Sequence, residues 1–176
     1  MNFLEYYASG KAIFTLSAGK ELIIKKYFLE FQPWTGKPIQ NSYGSKAVID
    51  WKGEPVFAEL AVLRLFQKNG WDGVWVDSYR RKFRIGLPDV ADPIQLPSDK
   101  QQLIDSIKEE TGVSGGCWDL FLWKGNRILF LELKRQGKDK LQDSQHKWFS
   151  ASMKMGLRPS NFAIIEWTLV DKLAGV

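Results

Sequence analysis

The sequence predicts an α/β fold, and three observations carry that reading. Two apolar runs, over residues 118–124 and 127–134, flank a Gly125-Asn126 turn and read as a β-hairpin. Two stretches, near 54–70 and 139–156, space their apolar residues by threes and fours, as amphipathic helices do. Further apolar runs at 73–77 and 161–167 have the length and bounds of strands. In chain order this gives helix, strand, strand, strand, helix, strand.

Residues 1–53 carry the weakest pattern and are expected to form an N-terminal extension packed on a domain spanning 54–176. Within them, 12–16 suits a strand, 21–31 fits either a short helix or a strand, and Pro33, Gly36, Pro38 and Asn41 mark a loop. Pro55 suits the first turn of a helix and Gly70 its stop. Val56, Glu59, Leu63 and Phe66 then share one stripe, so Glu59 is a carboxylate on the core-facing side. A buried carboxylate needs a partner; the alternatives are a solvated edge position or pairing with Lys52 or Arg64. Residues 78–117 read as an insertion. It holds the basic Arg80, Arg81, Lys82 and Arg84, then Pro88, Pro93 and Pro97, then a helix over about 98–111 with Ser98 as N-cap and Gln101 at the capping-box spacing. In the second main helix Asp139 is the expected N-cap, with Gln142 three residues on. Leu141, Trp148, Phe149 and Met155 form its apolar stripe, and Gln145 lies on nearly the same side.

The hairpin is the most informative segment. A two-residue loop pairs Lys124 with Arg127, and so Trp123 with Ile128, Phe121 with Phe130, and Asp119 with Glu132. Lys134, two residues past Glu132, shares that face, whereas Leu131 and Leu133 point to the other. Opposed like charges weaken a strand pair by roughly 0.2–1 kcal/mol. A divalent cation between them reverses the sign, so the arrangement suits a metal site. Gly86-Leu87-Pro88-Asp89 offers a rival carboxylate, but Asp89 precedes no apolar strand, and Asp119 is preferred.

The Asp119-x(12)-Glu132-x-Lys134 pattern, followed by Gln145-x-x-Trp148, resembles the PD-(D/E)XK nuclease superfamily and its VRR-NUC-type members. The resemblance spans roughly 54–167 and departs in one place, where Trp118 replaces the Pro before the aspartate. It implies a restriction-endonuclease-like core: helix, three strands, helix, strand, with a mixed sheet flanked by helices. It further implies a deoxyribonuclease dependent on Mg2+ or Mn2+. Asp119, Glu132 and the Leu133 carbonyl would hold the metal, Lys134 would orient the attacking water or stabilise the phosphorane, and Gln145 would hold Lys134 or a phosphate oxygen. Glu59 would reach the site directly or through water. Arg135, Lys138, Lys140 and Lys147 would follow the nucleic-acid backbone. DNA is expected before RNA, in replication, repair or a mobile element, and a homodimer is compatible with the family. The alternatives are a non-catalytic nucleic-acid-binding module on the same fold, and an interaction protein using its Trp residues in an interface.

Composition fits a nucleic-acid partner. The chain has 176 residues and a net charge of +5. Between Lys124 and Arg158 nine basic residues face three acidic ones, so this half carries the whole excess. Eight Trp are more simply core residues than stacking platforms, although both uses exist. Cys117 and His146 are the only residues of their kinds. That rules out an intramolecular disulfide and argues against Cys/His zinc sites and Ser-His or Cys-His hydrolases. It leans towards a reducing compartment, the cytoplasm. Cys117 is expected as a small buried residue and His146 as a surface or phosphate-facing one. No signal peptide or membrane-spanning run is evident.

Overall fold

The computed structural model describes residues 3–16, 19–40, 43–44, 46–88, 93–113 and 115–170; Asp89 lies outside them. The strands are β1 (Ala8–Thr15), β2 (Glu21–Phe31), β3 (Ile49–Trp51), β4 (Glu54–Val56), β5 (Asp72–Asp77), β6 (Lys82–Arg84), β7 (Leu120–Lys124), β8 (Arg127–Arg135) and β9 (Phe162–Leu169). The α-helices are α1 (Ala58–Lys68), α2 (Ser98–Thr111) and α3 (Asp143–Lys154).

The fold is α/β. Seven strands form one mixed sheet in the order β1-β2-β9-β8-β7-β5-β6. β9 runs parallel to both of its neighbours, β2 and β8, and the remaining pairs are antiparallel. Residues 21–31, open between helix and strand, form a strand, and the N-terminal segment builds one edge of the sheet by pairing β2 with β9. The expected hairpin register is observed: Lys124 faces Arg127, Trp123 faces Ile128 and Phe121 faces Phe130. Gly125, at φ 56°, supplies the left-handed first position that a tight hairpin needs.

Strand alternation divides the core into two layers. Leu129, Leu131 and Leu133 pack with Leu60, Leu63 and Phe66 of α1. Phe121, Phe130 and Ile164 pack on the other side with Ile104 of α2 and Trp148 and Phe149 of α3. Each fully buried large apolar side chain contributes roughly 1.5–3 kcal/mol. Trp75, Trp118, Trp148 and Trp167 are buried in the core, and the other four Trp are half-buried.

Three helix starts differ from expectation. Pro55 opens no helix: it lies in β4, paired with Asp50 across a Lys52-Gly53 turn, and α1 begins after Phe57. Val56 is therefore buried from a strand, and Leu60, Ala61 and Val62 are buried beside the expected stripe in a cluster that Ile39, Tyr43, Ala47, Val48, Ile49 and Trp51 also join. Pro97, not Ser98, is the N-cap of α2, its carbonyl accepting from the Lys100 and Gln101 N–H groups. Asp139 caps no helix; its Oδ2 accepts the Arg135 N–H at 2.9 Å. Gln142 and Gln145 form the capping box of α3 instead. Met155, expected in the α3 stripe, is 40% exposed.

Candidate functional site

The charged residues converge where β7 and β8 meet the first turns of α1 and α3. Phe130 and Glu132 lie on the α3 side of β8, and Lys134 follows by the two-residue repeat. Glu132 is 1% exposed. Its Oε1 lies 2.9 Å from Lys134 Nζ and accepts from Gln145 Nε2 at 2.5 Å. Gln145 Oε1 accepts from Lys134 Nζ at 3.2 Å and from the Gln142 N–H at 2.9 Å. The capping box of α3 thus fixes the glutamine that bridges Glu132 and Lys134.

Asp119 sits one residue before β7. Its Oδ2 accepts the Leu133 N–H at 2.8 Å, and its own carbonyl accepts the Val76 N–H at 2.8 Å. Burial first, then the charges of Glu132 and Glu59, hold the Asp119 carboxyl well above the ordinary range; the Leu133 N–H and Lys46 pull the other way. Burial also raises Glu132, with Lys134 the largest opposing influence.

Glu59 occupies the first turn of α1 and is 7% exposed. Its partner is neither Lys52 nor Arg64, which binds Glu54 at 2.8 Å, but Lys46, at 2.6 Å. Burial pulls the Lys46 ammonium down, but Glu59, Asp119 and Asp77 more than offset this and raise it above its usual value. Lys46 also lies over the rings of Phe57 and Trp75, at 5.5 and 5.4 Å. Sequence reasoning missed it because the loop around it has no periodic pattern.

A second missed group adjoins the site. Asp77, at the end of β5 and 1% exposed, accepts from Arg84 Nε at 2.8 Å, from the Tyr43 hydroxyl at 2.5 Å and from the Arg80 N–H at 3.1 Å. Burial and Asp77 together push the Tyr43 hydroxyl up to about 12. Asp77 ends an apolar strand much as Asp119 begins one, and that signal could have been read. Arg84, counted as part of a basic run, is buried in this ion pair.

The expected backbone-tracking residues fall into two groups. Lys138, Lys140 and Lys147 are exposed. Arg135 is half-buried, with its guanidinium 5.5 Å from the Trp167 ring centre. His146, expected as a surface or phosphate-facing residue, is half-buried, its ring 4.7 Å from that of Phe14. Cys117 is half-buried rather than enclosed, and burial pushes its thiol up.

Two buried carboxylate oxygens, Glu59 Oε2 and Glu132 Oε2, have no hydrogen-bond partner among the described residues. Among those residues no three His, Cys, Asp or Glu side chains are grouped closely enough to form a ready-made cage. Mg2+ does not require one: it retains several waters and binds through one or two carboxylates and substrate phosphates. The donor set is all oxygen, which suits a hard ion. No helix among the described residues is long and apolar enough to cross a membrane. No family model matches the chain, and no curated protein matches it.

Proposed function

We propose that the protein is a metal-dependent nuclease that hydrolyses phosphodiester bonds in nucleic acid, DNA before RNA, on a restriction-endonuclease-like core of the PD-(D/E)XK kind. The observation that carries the reading is the pair Asp119 and Glu132, both raised chiefly by burial, beside a fixed lysine. Glu132 keeps one oxygen without a partner, while Lys134 and Gln145 are held within hydrogen-bonding distance of the other. Isolated buried charge is costly, and a fold retains such a group where a ligand offsets the cost.

Asp119 and Glu132, with the Leu133 carbonyl, would hold Mg2+ or Mn2+, and Glu59 would approach it from α1. When bound, the ion supplies charge neutralisation at the phosphate and a more acidic water. Lys134 donates hydrogen bonds to the attacking water or to a non-bridging phosphate oxygen, and Gln145 keeps its ammonium in place. The water oxygen forms a new bond to phosphorus as the bond to one sugar oxygen breaks. The released sugar oxygen takes up a proton, and the water's proton leaves to solvent. Lys138, Lys140 and Lys147 attract the backbone electrostatically.

The test is cleavage of plasmid, linear, single-stranded and four-way-branched DNA with Mg2+, Mn2+ or EDTA, using wild type and Lys134→Ala. Metal-dependent cutting that falls by a factor of 100 or more, about 2.7 kcal/mol, in the variant is the expected result. One observation favours the non-catalytic binding module instead: Lys46 and Lys134 already compensate Glu59 and Glu132. Salt-sensitive DNA binding without cutting under any metal would establish that reading.

A further inference from the structure

On the α2–α3 side of the sheet lies a cavity of about 270 Å3. Phe83, Ile104 and Trp148 give it apolar and aromatic walls, and Arg81, Lys82 and Lys108 add three cations. Arg81 and Lys82 are exposed, and neither has a carboxylate at ion-pair distance among the described residues. Asp77 also lines the cavity, but its carboxylate is engaged by Arg84 and Tyr43, so it does little to cancel those charges. Trp148 is fully buried, and its indole N–H has no acceptor among the described residues. Beside the cavity, in the turn between β5 and β6, Tyr79 is 86% exposed next to Arg80 and Arg81.

The cavity adjoins the carboxylates. Cys117, on its wall, precedes Asp119 by two residues, and Val76, also on the wall, donates its N–H to the Asp119 carbonyl. Trp148 follows Gln145 by nearly one helical turn. An occupant here would lie next to any phosphate presented to Lys134.

We propose that this cavity receives one unstacked nucleotide of the strand being cut, with its base against Phe83 and its phosphate on Arg81, Lys82 and Lys108. The identity of that strand rests on the nuclease reading; the pocket itself does not. Every base offers a π-face to aromatic walls, which makes such a site tolerant of sequence. The cations match the phosphate, and Tyr79 offers a platform for the neighbouring base. The site therefore selects unpaired ends or single-stranded segments over intact duplex.

The experiment is fluorescence anisotropy of a labelled single-stranded DNA in EDTA, competed by an unlabelled strand of the same length or by a fully abasic strand. The base-bearing strand should compete about tenfold better. Gly115→Trp should erase that ratio, because its side chain starts from open space at the cavity wall. Arg81→Ala with Lys82→Ala, both on exposed positions, should weaken both competitors by a similar factor. Equal competition by the two strands in wild type, a ratio untouched by Gly115→Trp, or unchanged affinity in the Arg81/Lys82 variant overturns the proposal. Base-dependent binding without metal-dependent cutting would keep the pocket and remove the nuclease reading. Cutting without base dependence would do the reverse.

Discussion

Replacing Gly116 by Ala tests how the approach to Asp119 is held against α3. Gly116 has φ 95°, and a Cβ there would collide with the Ser144 carbonyl oxygen and lie 2.6 Å from its carbon. Ser144 precedes Gln145 in the first turn of α3. Left-handed backbone costs a non-glycine residue roughly 1–2 kcal/mol, and overpacking against backbone adds roughly 1–3 kcal/mol. Gly112 provides the control: it has φ 65°, but a Cβ there meets nothing within 4 Å. Gly112→Ala should therefore show only the backbone cost, and Gly116→Ala about 2–5 kcal/mol in total. For a chain of this size that is a fall in Tm of about 4–20 °C. Urea unfolding monitored by fluorescence gives the comparison, provided the m-value is unchanged. The shift should also separate Gln145 from Glu132, and displacements of about 1 Å near reacting groups can cost about 100-fold in rate. If Gly116→Ala is no more destabilising than Gly112→Ala, the close contact with α3 does not exist as described.

Three further outcomes follow from the site. Asp119→Asn keeps an acceptor for the Leu133 N–H and removes a charge whose native pKa is raised, so it should stabilise the protein in EDTA. That gain is absent below the unfolded value near 3.8, grows as pH rises towards the raised native pKa, and levels off above it; in a set of melting curves against pH, a difference between variant and wild type that does not change with pH would refute the raised pKa. Lys46→Met removes the ion-pair partner of Glu59 and should cost roughly 1–3 kcal/mol in chemical denaturation, with part of the loss recovered on adding Mg2+; no loss would mean that the ion pair is solvated. His146→Ala removes the ring packed on Phe14 and should lower stability by about 0.5–1.5 kcal/mol while leaving DNA cleavage within a factor of two or so; a large fall in cutting at unchanged stability would return His146 to a phosphate-facing role.

The β7–β8 register was legible because a two-residue loop admits few pairings, and because Phe121 and Phe130 must share a face. Continued along β8, the alternation puts Glu132 and Lys134 on one side; the ladder ends at Leu120 with Leu131, so the expected Asp119–Glu132 pair lies beyond it, and Asp119 accepts the Leu133 N–H through its side chain. The bounds of α2 were legible, the Ser98 and Gln101 pattern marking its start, although the cap proved to be Pro97. Pro55 misled because it suits an edge strand as well as a helix start, and only the tertiary pairing with Asp50 decides between them. Asp139 misled for a related reason: its side chain could cap a helix or close the Arg135 loop, and the loop won. Lys46 was beyond reach, since a cation in an aperiodic loop gives no sign of which carboxylate it meets. β6 was also unreadable, as its three residues carry two charges and depend on β5 for their pairing.

The parallel pairing of β2 with β9 bears on how the chain reaches this structure. Lys25 faces Ala163 and Phe31 faces Leu169, so an early strand must wait for one made nearly 140 residues later. Local β-hairpins form in microseconds, but contacts of such separation are slow to close. During synthesis the β1–β2 ribbon would emerge with one long edge unsatisfied, carrying Ile24, Tyr27 and Leu29, which are buried only in the finished sheet. Lys25, Lys26 and Glu30 interrupt that ribbon with charge, and such interruptions slow edge-to-edge association. The step that closes the sheet is thus also the step that ends the chain's greatest exposure to aggregation.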